Sequence, residues 1–113
     1  MNYAIEATKE FESNFKRLSK KYRSLLDDLE EFKKELLQNP TAGNDLGDNT
    51  YKVRMAIASK NKGKSGGARV ITCNVWVDLE NSQIYLLTIY DKNEQDSISK
   101  TEIEYLKKMA GLV

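Results

Sequence analysis

The chain has 113 residues, of which 40% are hydrophobic and 31% charged, so we expect residues 1–113 to form one globular domain. It contains no histidine and only one cysteine, which excludes Ser–His or Cys–His catalysis and an internal disulfide. No apolar run approaches the roughly 18 residues of a membrane span, and no signal-peptide core opens the chain. We therefore expect a cytoplasmic protein that does not bind a membrane.

The net charge of +1 conceals an uneven distribution along the chain. Residues 1–50 carry a net charge of −2 and residues 78–113 a net charge of −3. Residues 51–77 carry six basic residues and no acid. Concentrated positive charge attracts polyanions even in a nearly neutral protein. The alternative is a solvated basic face without a ligand.

The first half of the chain is predicted to form a short strand over residues 2–7 and two helices. From Thr8 onward, apolar residues recur at helical spacing: Phe11, Phe15 and Leu18. A second apolar stripe runs from Tyr22 to Leu37, and Asn39-Pro40 ends it because proline disfavours helix at the preceding residue. We expect both stripes to be core. Residues 41–49, "TAGNDLGDN", have the composition of a loop.

The second half changes to the two-residue period of β-strands. Three predicted strands form an antiparallel meander: residues 51–57, 69–77 and 83–90. Ser99 and Glu102 form the capping box of a C-terminal helix. This order predicts an α+β fold in which an N-terminal helix hairpin packs on a mainly antiparallel sheet, with a short C-terminal helix. Cys73 and Trp76 lie in the middle strand and are predicted to be core residues.

The segment "SKNKGKSGGARVI" (59–71) contains GKS, the end of a phosphate-loop motif. A phosphate loop ending in Lys64-Ser65 requires glycine at position 58, where this chain has Ala58, and the loop must open a helix. Two glycines and a predicted strand follow instead. We therefore exclude a nucleoside triphosphate site and interpret the segment as a basic loop between two strands.

Lys52 and Arg54 are two residues apart on a predicted strand, so their side chains leave the same face of the sheet. A hairpin would bring Arg69 beside them, with Lys62 and Lys64 on the connecting loop. Such closely placed like charges repel one another. We expect no acidic neighbour for this cluster. A polyanionic ligand therefore explains the cluster better than a contribution to the stability of the fold does.

RNA is a polyanion that carries its own nucleophile, because the 2′-OH can attack the adjacent phosphorus without a metal. The protein must then accept the 2′-OH proton, stabilise the phosphorane and protonate the leaving 5′-oxygen. A lysine beside other cations can transfer protons, and arginine suits the phosphorane oxygens. The basic cluster is therefore compatible with RNA cleavage that uses no metal and no cofactor.

Two stretches, "KGKSGGARVI" and "IYLLTIYDKNE", together with the order of elements over nearly the whole chain, resemble the RelE/ParE toxin superfamily, particularly its RelE- and HigB-like branch. The resemblance implies the toxin of a type II toxin–antitoxin pair. Such a toxin is an endoribonuclease that enters the ribosomal A site beside rRNA, cleaves mRNA and inhibits translation. It also implies a cognate antitoxin, which we expect to be of helix-turn-helix type.

The resemblance also assigns site residues by position. The family's basic catalytic pair falls on Lys52 and Arg54, its phosphate-contacting arginine on Arg69, and a further basic catalytic residue on Lys92. RelE also uses a tyrosine near its C-terminus. Since this chain has Ile98 near that place, the role is either missing or passes to Tyr90, whose alternative is a strand-end aromatic that covers the core.

Within this set, the candidates for proton transfer are Lys52 and either Lys62 or Lys64. Arg54, Arg69 and Lys92 would stabilise the phosphate. The residues predicted to bind RNA are Lys60, Lys62 and Lys64. Two rival functions stay open: a ParE-like toxin that inhibits DNA gyrase, and a decayed toxin that only docks a protein.

Overall fold

The computed structural model describes residues 1–113 and has an α+β fold, as the sequence predicts. Its elements, in chain order, are β1 (Asn2–Ala7), α1 (Lys9–Lys21), α2 (Leu25–Gln38), β2 (Asn44–Gly47), β3 (Thr50–Met55), β4 (Ala68–Trp76), β5 (Asn81–Asp91) and α3 (Lys100–Met109). One turn of 3₁₀ helix, Ala58–Lys60, lies between β3 and β4. None of the helices has the length and apolar character that crossing a membrane requires.

The five strands form one sheet in the order β1-β5-β4-β3-β2. The predicted antiparallel meander of β3, β4 and β5 is confirmed, and β1 adds to the edge of β5 in parallel. The prediction of a loop over residues 41–49 was wrong in part, because β2 pairs with β3. Asp48 and Asn49 turn the chain between them with φ values of 51° and 57°, which short polar side chains tolerate.

The sheet is covered on both faces, because its alternating side chains supply two cores. The helix hairpin α1–α2 packs on the face that carries Val53, Met55 and Val70. α3 packs on the opposite face, over Ile71 and Cys73. The predicted burial of Cys73 is confirmed. The α3 face matters for the site, because α3 is short and leaves part of it open.

Polar caps define where two of the helices begin. The Thr8 hydroxyl accepts a hydrogen bond from Phe11 N–H at 3.1 Å and begins α1. Ser99 does the same for Glu102 N–H at 3.1 Å, which confirms the predicted Ser99 cap of α3, but the Glu102 carboxylate accepts from the Ser99 hydroxyl at 3.3 Å and not from its N–H as in a full capping box. The second helix begins at Leu25, so Tyr22 lies in the turn after α1.

Trp76 is not a core residue, and that prediction was wrong. Its side chain is 71% exposed at the end of β4, and Val77 and Leu79 beside it are 60% and 88% exposed. The Asp78 carboxylate accepts hydrogen bonds from the Glu80 and Asn81 N–H groups, both at 2.9 Å, and thereby orders this hairpin turn. These exposures show that the apolar side chains of the turn are left uncovered. Two leucines on α2, Leu26 and Leu37, are exposed for a different reason, because they flank its buried stripe.

Candidate functional site

The register of β3 and β4 places Arg54 directly opposite Arg69. Lys52 pairs with Ile71, two residues further along, so all three basic side chains leave the α3 face of the sheet. The core under α3 includes Ile71 and Tyr90, but none of the three basic side chains belongs to it. The strands alone therefore bring Lys52, Arg54 and Arg69 together, as their spacing predicts.

A groove with a volume of about 570 Å³ runs along this cluster, and we call it the arginine groove. Its charged lining residues are Lys52, Arg54, Lys64, Arg69, Glu35 and Asp96. The expectation that the cluster has no acidic neighbour was therefore wrong. Glu35 comes from α2 and lies 3.1 Å from the Lys64 ammonium, whereas Asp96 comes from the loop between β5 and α3.

Arg69 is buried, with 6% of its surface exposed, and it has no carboxylate within 4.0 Å. Its guanidinium donates to three backbone carbonyls, those of Lys64 at 3.3 Å, Ser65 at 3.1 Å and Ala68 at 3.2 Å. These neutral acceptors hold the arginine in place but leave its positive charge uncompensated. Arg69 thus organises the end of the basic loop and presents a cation to the arginine groove.

The start of the basic loop is held by a buried carboxylate at the end of β5. Asp91 is fully buried and accepts hydrogen bonds from the Lys60 ammonium at 2.8 Å, from the Tyr22 hydroxyl and from the Asn93 N–H at 3.0 Å. Burial by itself raises the pKa of the Asp91 carboxyl, but the hydrogen bonds from Lys60, Tyr22 and Asn93 outweigh it and hold the pKa below its ordinary value. Lys60 therefore lies in a buried ion pair and not in the groove, which argues against its predicted contact with RNA.

Two serines tie the same part of the loop to the helix hairpin. Ser24 N–H donates to the Ser59 hydroxyl, and Ser59 N–H donates to the Ser24 hydroxyl, each at 2.9 Å. At the other end, a Cβ on Gly67 would lie 2.2 Å from the Met55 carbonyl oxygen, so only glycine allows the loop to return this close to β3. The loop is thus anchored at both ends, with Lys62 and Lys64 exposed between the anchors.

Tyr90 lies opposite Arg69 on β5, so Arg54, Arg69 and Tyr90 form one row across three strands. Its side chain nevertheless belongs to the core under α3 and is only 4% exposed. The Tyr90 hydroxyl is buried and has no hydrogen-bond partner. Burial raises its pKa, and the nearby Arg69 charge offsets only part of this effect. These facts match the strand-end aromatic that covers the core better than a group that transfers protons.

The remaining predicted residues lie outside the arginine groove. Lys92 follows β5 and is exposed, and its backbone N–H donates to the Gly67 carbonyl at 3.3 Å. Lys62 is exposed on the loop and does not line the groove. The structure therefore brings together Lys52, Arg54, Lys64 and Arg69, and leaves Lys60, Lys62, Lys92 and Tyr90 apart from them.

Sequence reasoning missed Glu35 and Asp96, the two carboxylates of the groove. No local pattern marks them, because Glu35 reads as the solvent side of a helix and Asp96 as part of a polar loop. As a chemical site, the groove offers four cations and two carboxylates. This set suits the binding of a phosphodiester and the transfer of protons to and from the groups beside it. No group of three or more Cys, Asp or Glu side chains is arranged to hold a metal ion.

Residues 7–113 match the family described as the RelE toxin of the RelE/RelB toxin–antitoxin system. The matched range contains every residue that lines the arginine groove.

Proposed function

Because the chain belongs to the RelE toxin family, whose members pair with an antitoxin, we propose that it is an endoribonuclease that cleaves mRNA on the ribosome and so inhibits translation. We propose further that residues 1–113 act as one toxin domain. One observation carries the proposal: Arg54 and Arg69 face each other across two strands, and neither has a carboxylate partner. Facing like charges destabilise a sheet unless an anion lies between them.

In the proposed reaction the scissile phosphate lies over Arg54 and Arg69, whose guanidinium groups stabilise the charge of the phosphorane. The 2′-oxygen forms a bond to phosphorus as its proton leaves, and the bond from phosphorus to the 5′-oxygen breaks. The 5′-oxygen takes up a proton. The products are a 2′,3′-cyclic phosphate and a 5′-OH, and neither a metal nor a cofactor takes part.

The proton acceptor must lie in the arginine groove beside the phosphate. Lys52 meets this requirement, and Asp96 is a second candidate that the sequence did not suggest. Lys64 forms an ion pair with Glu35 at 3.1 Å. We assign this pair to the side of the phosphate from which the 5′-oxygen leaves.

The predicted residues outside the groove receive other roles. Lys62 and Lys92 are exposed and suit contacts with RNA phosphates that do not react. The hydroxyl of Tyr90 is buried and burial raises its pKa, so we assign it no proton transfer. Tyr90 instead supports Arg69, which it faces from the neighbouring strand. Lys60 positions the loop through Asp91. The ribosomal A site and a helix-turn-helix antitoxin belong to the same proposal.

The test is to induce the wild type, Arg54→Gln and Lys34→Gln separately in growing bacteria and to map mRNA 5′ ends. Arg54 is exposed, so its substitution removes one groove cation without a buried change. Lys34→Gln removes the same charge from α2, where the side chain is 72% exposed. We expect codon-internal cleavage with the wild type and Lys34→Gln and a large loss with Arg54→Gln.

Three results would overturn the proposal. Equal cleavage by Arg54→Gln and Lys34→Gln would remove the arginine groove from the reaction. DNA damage with intact translation would instead identify a gyrase inhibitor, and no effect on growth would identify a non-catalytic docking domain.

A further inference from the structure

A second groove, with a volume of about 250 Å³, lies between α3 and the β2–β3 hairpin, and we call it the α3 groove. Three lysines line it, Lys52, Lys100 and Lys107, together with an apolar floor of Leu46, Ile98 and Ile103. The mechanism proposed above uses only Lys52 of these residues. The proposed mechanism therefore leaves the other residues of the α3 groove without a role.

Lys107 points to the chemistry of an occupant of this groove. It is 5% exposed, its ammonium donates no hydrogen bond to the protein, and no carboxylate lies within 4.0 Å of it. The 5% exposure belongs to the whole residue: its stem is packed, whereas its ammonium is not among the buried atoms without a hydrogen-bond partner and so reaches solvent at the groove. An anion that enters the groove would be the first partner of this positioned charge.

Two acids, Asp48 and Glu104, also line the α3 groove. Neither forms an ion pair with any of the three lysines. Apart from Lys52, which the proposed mechanism uses, the groove has two ammonium groups, those of Lys100 and Lys107, against two carboxylates. The acids reduce its attraction for anions in general, so an anion that also makes apolar contact with the floor is favoured.

Lys52 lines both grooves, so the α3 groove continues the arginine groove along the same face of the sheet. We propose that the α3 groove binds the nucleotide next to the scissile phosphate, with its phosphate on Lys100 and Lys107 and its base against Leu46 and Ile98. This inference rests on the proposed function. Continuity with the arginine groove favours RNA over the other polyanion of fitting chemistry, an acidic protein segment.

The experiment measures binding of a fluorescein-labelled, single-stranded RNA with 2′-O-methyl groups, which cannot be cleaved, over a range of salt concentrations. The variants are Lys107→Gln, Lys107→Arg and Lys108→Gln, each checked for a wild-type melting temperature. Lys108 is the matched control, because it is exposed on the same helix and lines neither groove.

We expect Lys107→Gln to weaken binding several-fold and to reduce the slope of log K against log salt by about 0.7, the value for one phosphate contact on a single strand. Lys107→Arg should restore most of the affinity, and Lys108→Gln should match the wild type. If Lys107→Gln and Lys108→Gln behave alike, the inference is wrong. If Lys107→Gln weakens binding of a poly-glutamate peptide and not of RNA, the occupant is an acidic protein segment, and the inference is equally wrong.

Cleavage of ribosome-bound mRNA by the wild type separates this inference from the proposed function. Cleavage without a Lys107 effect on binding would contradict the α3 groove alone. Binding that depends on Lys107 without any cleavage would contradict the proposed function alone. A wild type that neither binds nor cleaves RNA would contradict both.

Discussion

The Lys60 ammonium lies 2.8 Å from Asp91 Oδ1, with 5% and 0% of the two side chains exposed. This ion pair joins the start of the basic loop to the end of β5. Asp91→Asn keeps the shape of the side chain but leaves the Lys60 charge buried and unpaired. We expect the free energy of unfolding, measured with urea, to fall by about 3–5 kcal/mol.

Glu94→Gln is the control for this change. Glu94 lies three residues after Asp91 and pairs with Arg17 at 3.1 Å, but their side chains are 39% and 53% exposed. Such a surface pair contributes about 0–1 kcal/mol after screening by solvent. An Asp91→Asn variant as stable as Glu94→Gln would show that the buried pair does not stabilise the fold.

The same carboxylate makes stability depend on pH. Its pKa is held below the ordinary Asp value, so its contribution is present above about pH 4 and is lost as the pH falls through the lowered pKa. We expect the stability difference between the wild type and Asp91→Asn to be constant from neutral to weakly acid pH and to shrink below about pH 4. A difference that stays the same down to about pH 2 would contradict this origin.

Arg69→Lys separates the two roles of Arg69. Lysine keeps the positive charge but cannot donate at once to the carbonyls of Lys64, Ser65 and Ala68. We expect faster amide hydrogen exchange in residues 61–67 together with loss of cleavage. Arg54→Lys, which breaks no such contact, should leave exchange in the loop unchanged. Unchanged exchange in both variants would show that Arg69 does not order the loop.

Glu35→Gln should strengthen RNA binding. Glu35 neutralises Lys64 at 3.1 Å, and both side chains are more than half exposed, so the stability change should stay within about 1 kcal/mol. Removal of the carboxylate leaves the arginine groove more positive, which should raise affinity and steepen its salt dependence. Glu31→Gln on the same helix is the control, because Glu31 pairs with Lys34 away from the groove. Equal affinities of the two variants would count against phosphate binding in the arginine groove.

The parts of the site that sequence predicts are those encoded by local periodicity. Strand parity and a hairpin suffice to place Arg54 opposite Arg69 on the same face as Lys52. The S-x-x-E pattern likewise suffices for the start of α3. These inferences need neighbours only a few residues apart, or the pairing of two adjacent strands.

The parts that sequence does not predict depend on contacts between distant segments. Asp91 meets Lys60 across 31 residues and Tyr22 across 69, and no periodicity signals either contact. The basic residues of the loop look alike in sequence, yet Lys60 is buried and Lys62 is exposed, because only Lys60 finds this carboxylate. The prediction for Trp76 was wrong because a strand's apolar pattern does not show where its coverage by helices ends, and Trp76 is exposed at the end of β4.

Trp76 is the only tryptophan of the chain, and its exposed position governs what fluorescence can report. Its indole is already largely in water in the native state, so its emission should shift little when the core unfolds. It lies seven residues from Arg69 along β4, about 23 Å at the rise of a strand, so RNA in the arginine groove should leave it silent. A blue shift or quenching of this single emitter would instead mark a protein that docks on the β4–β5 turn, at the end of β4 away from Arg69.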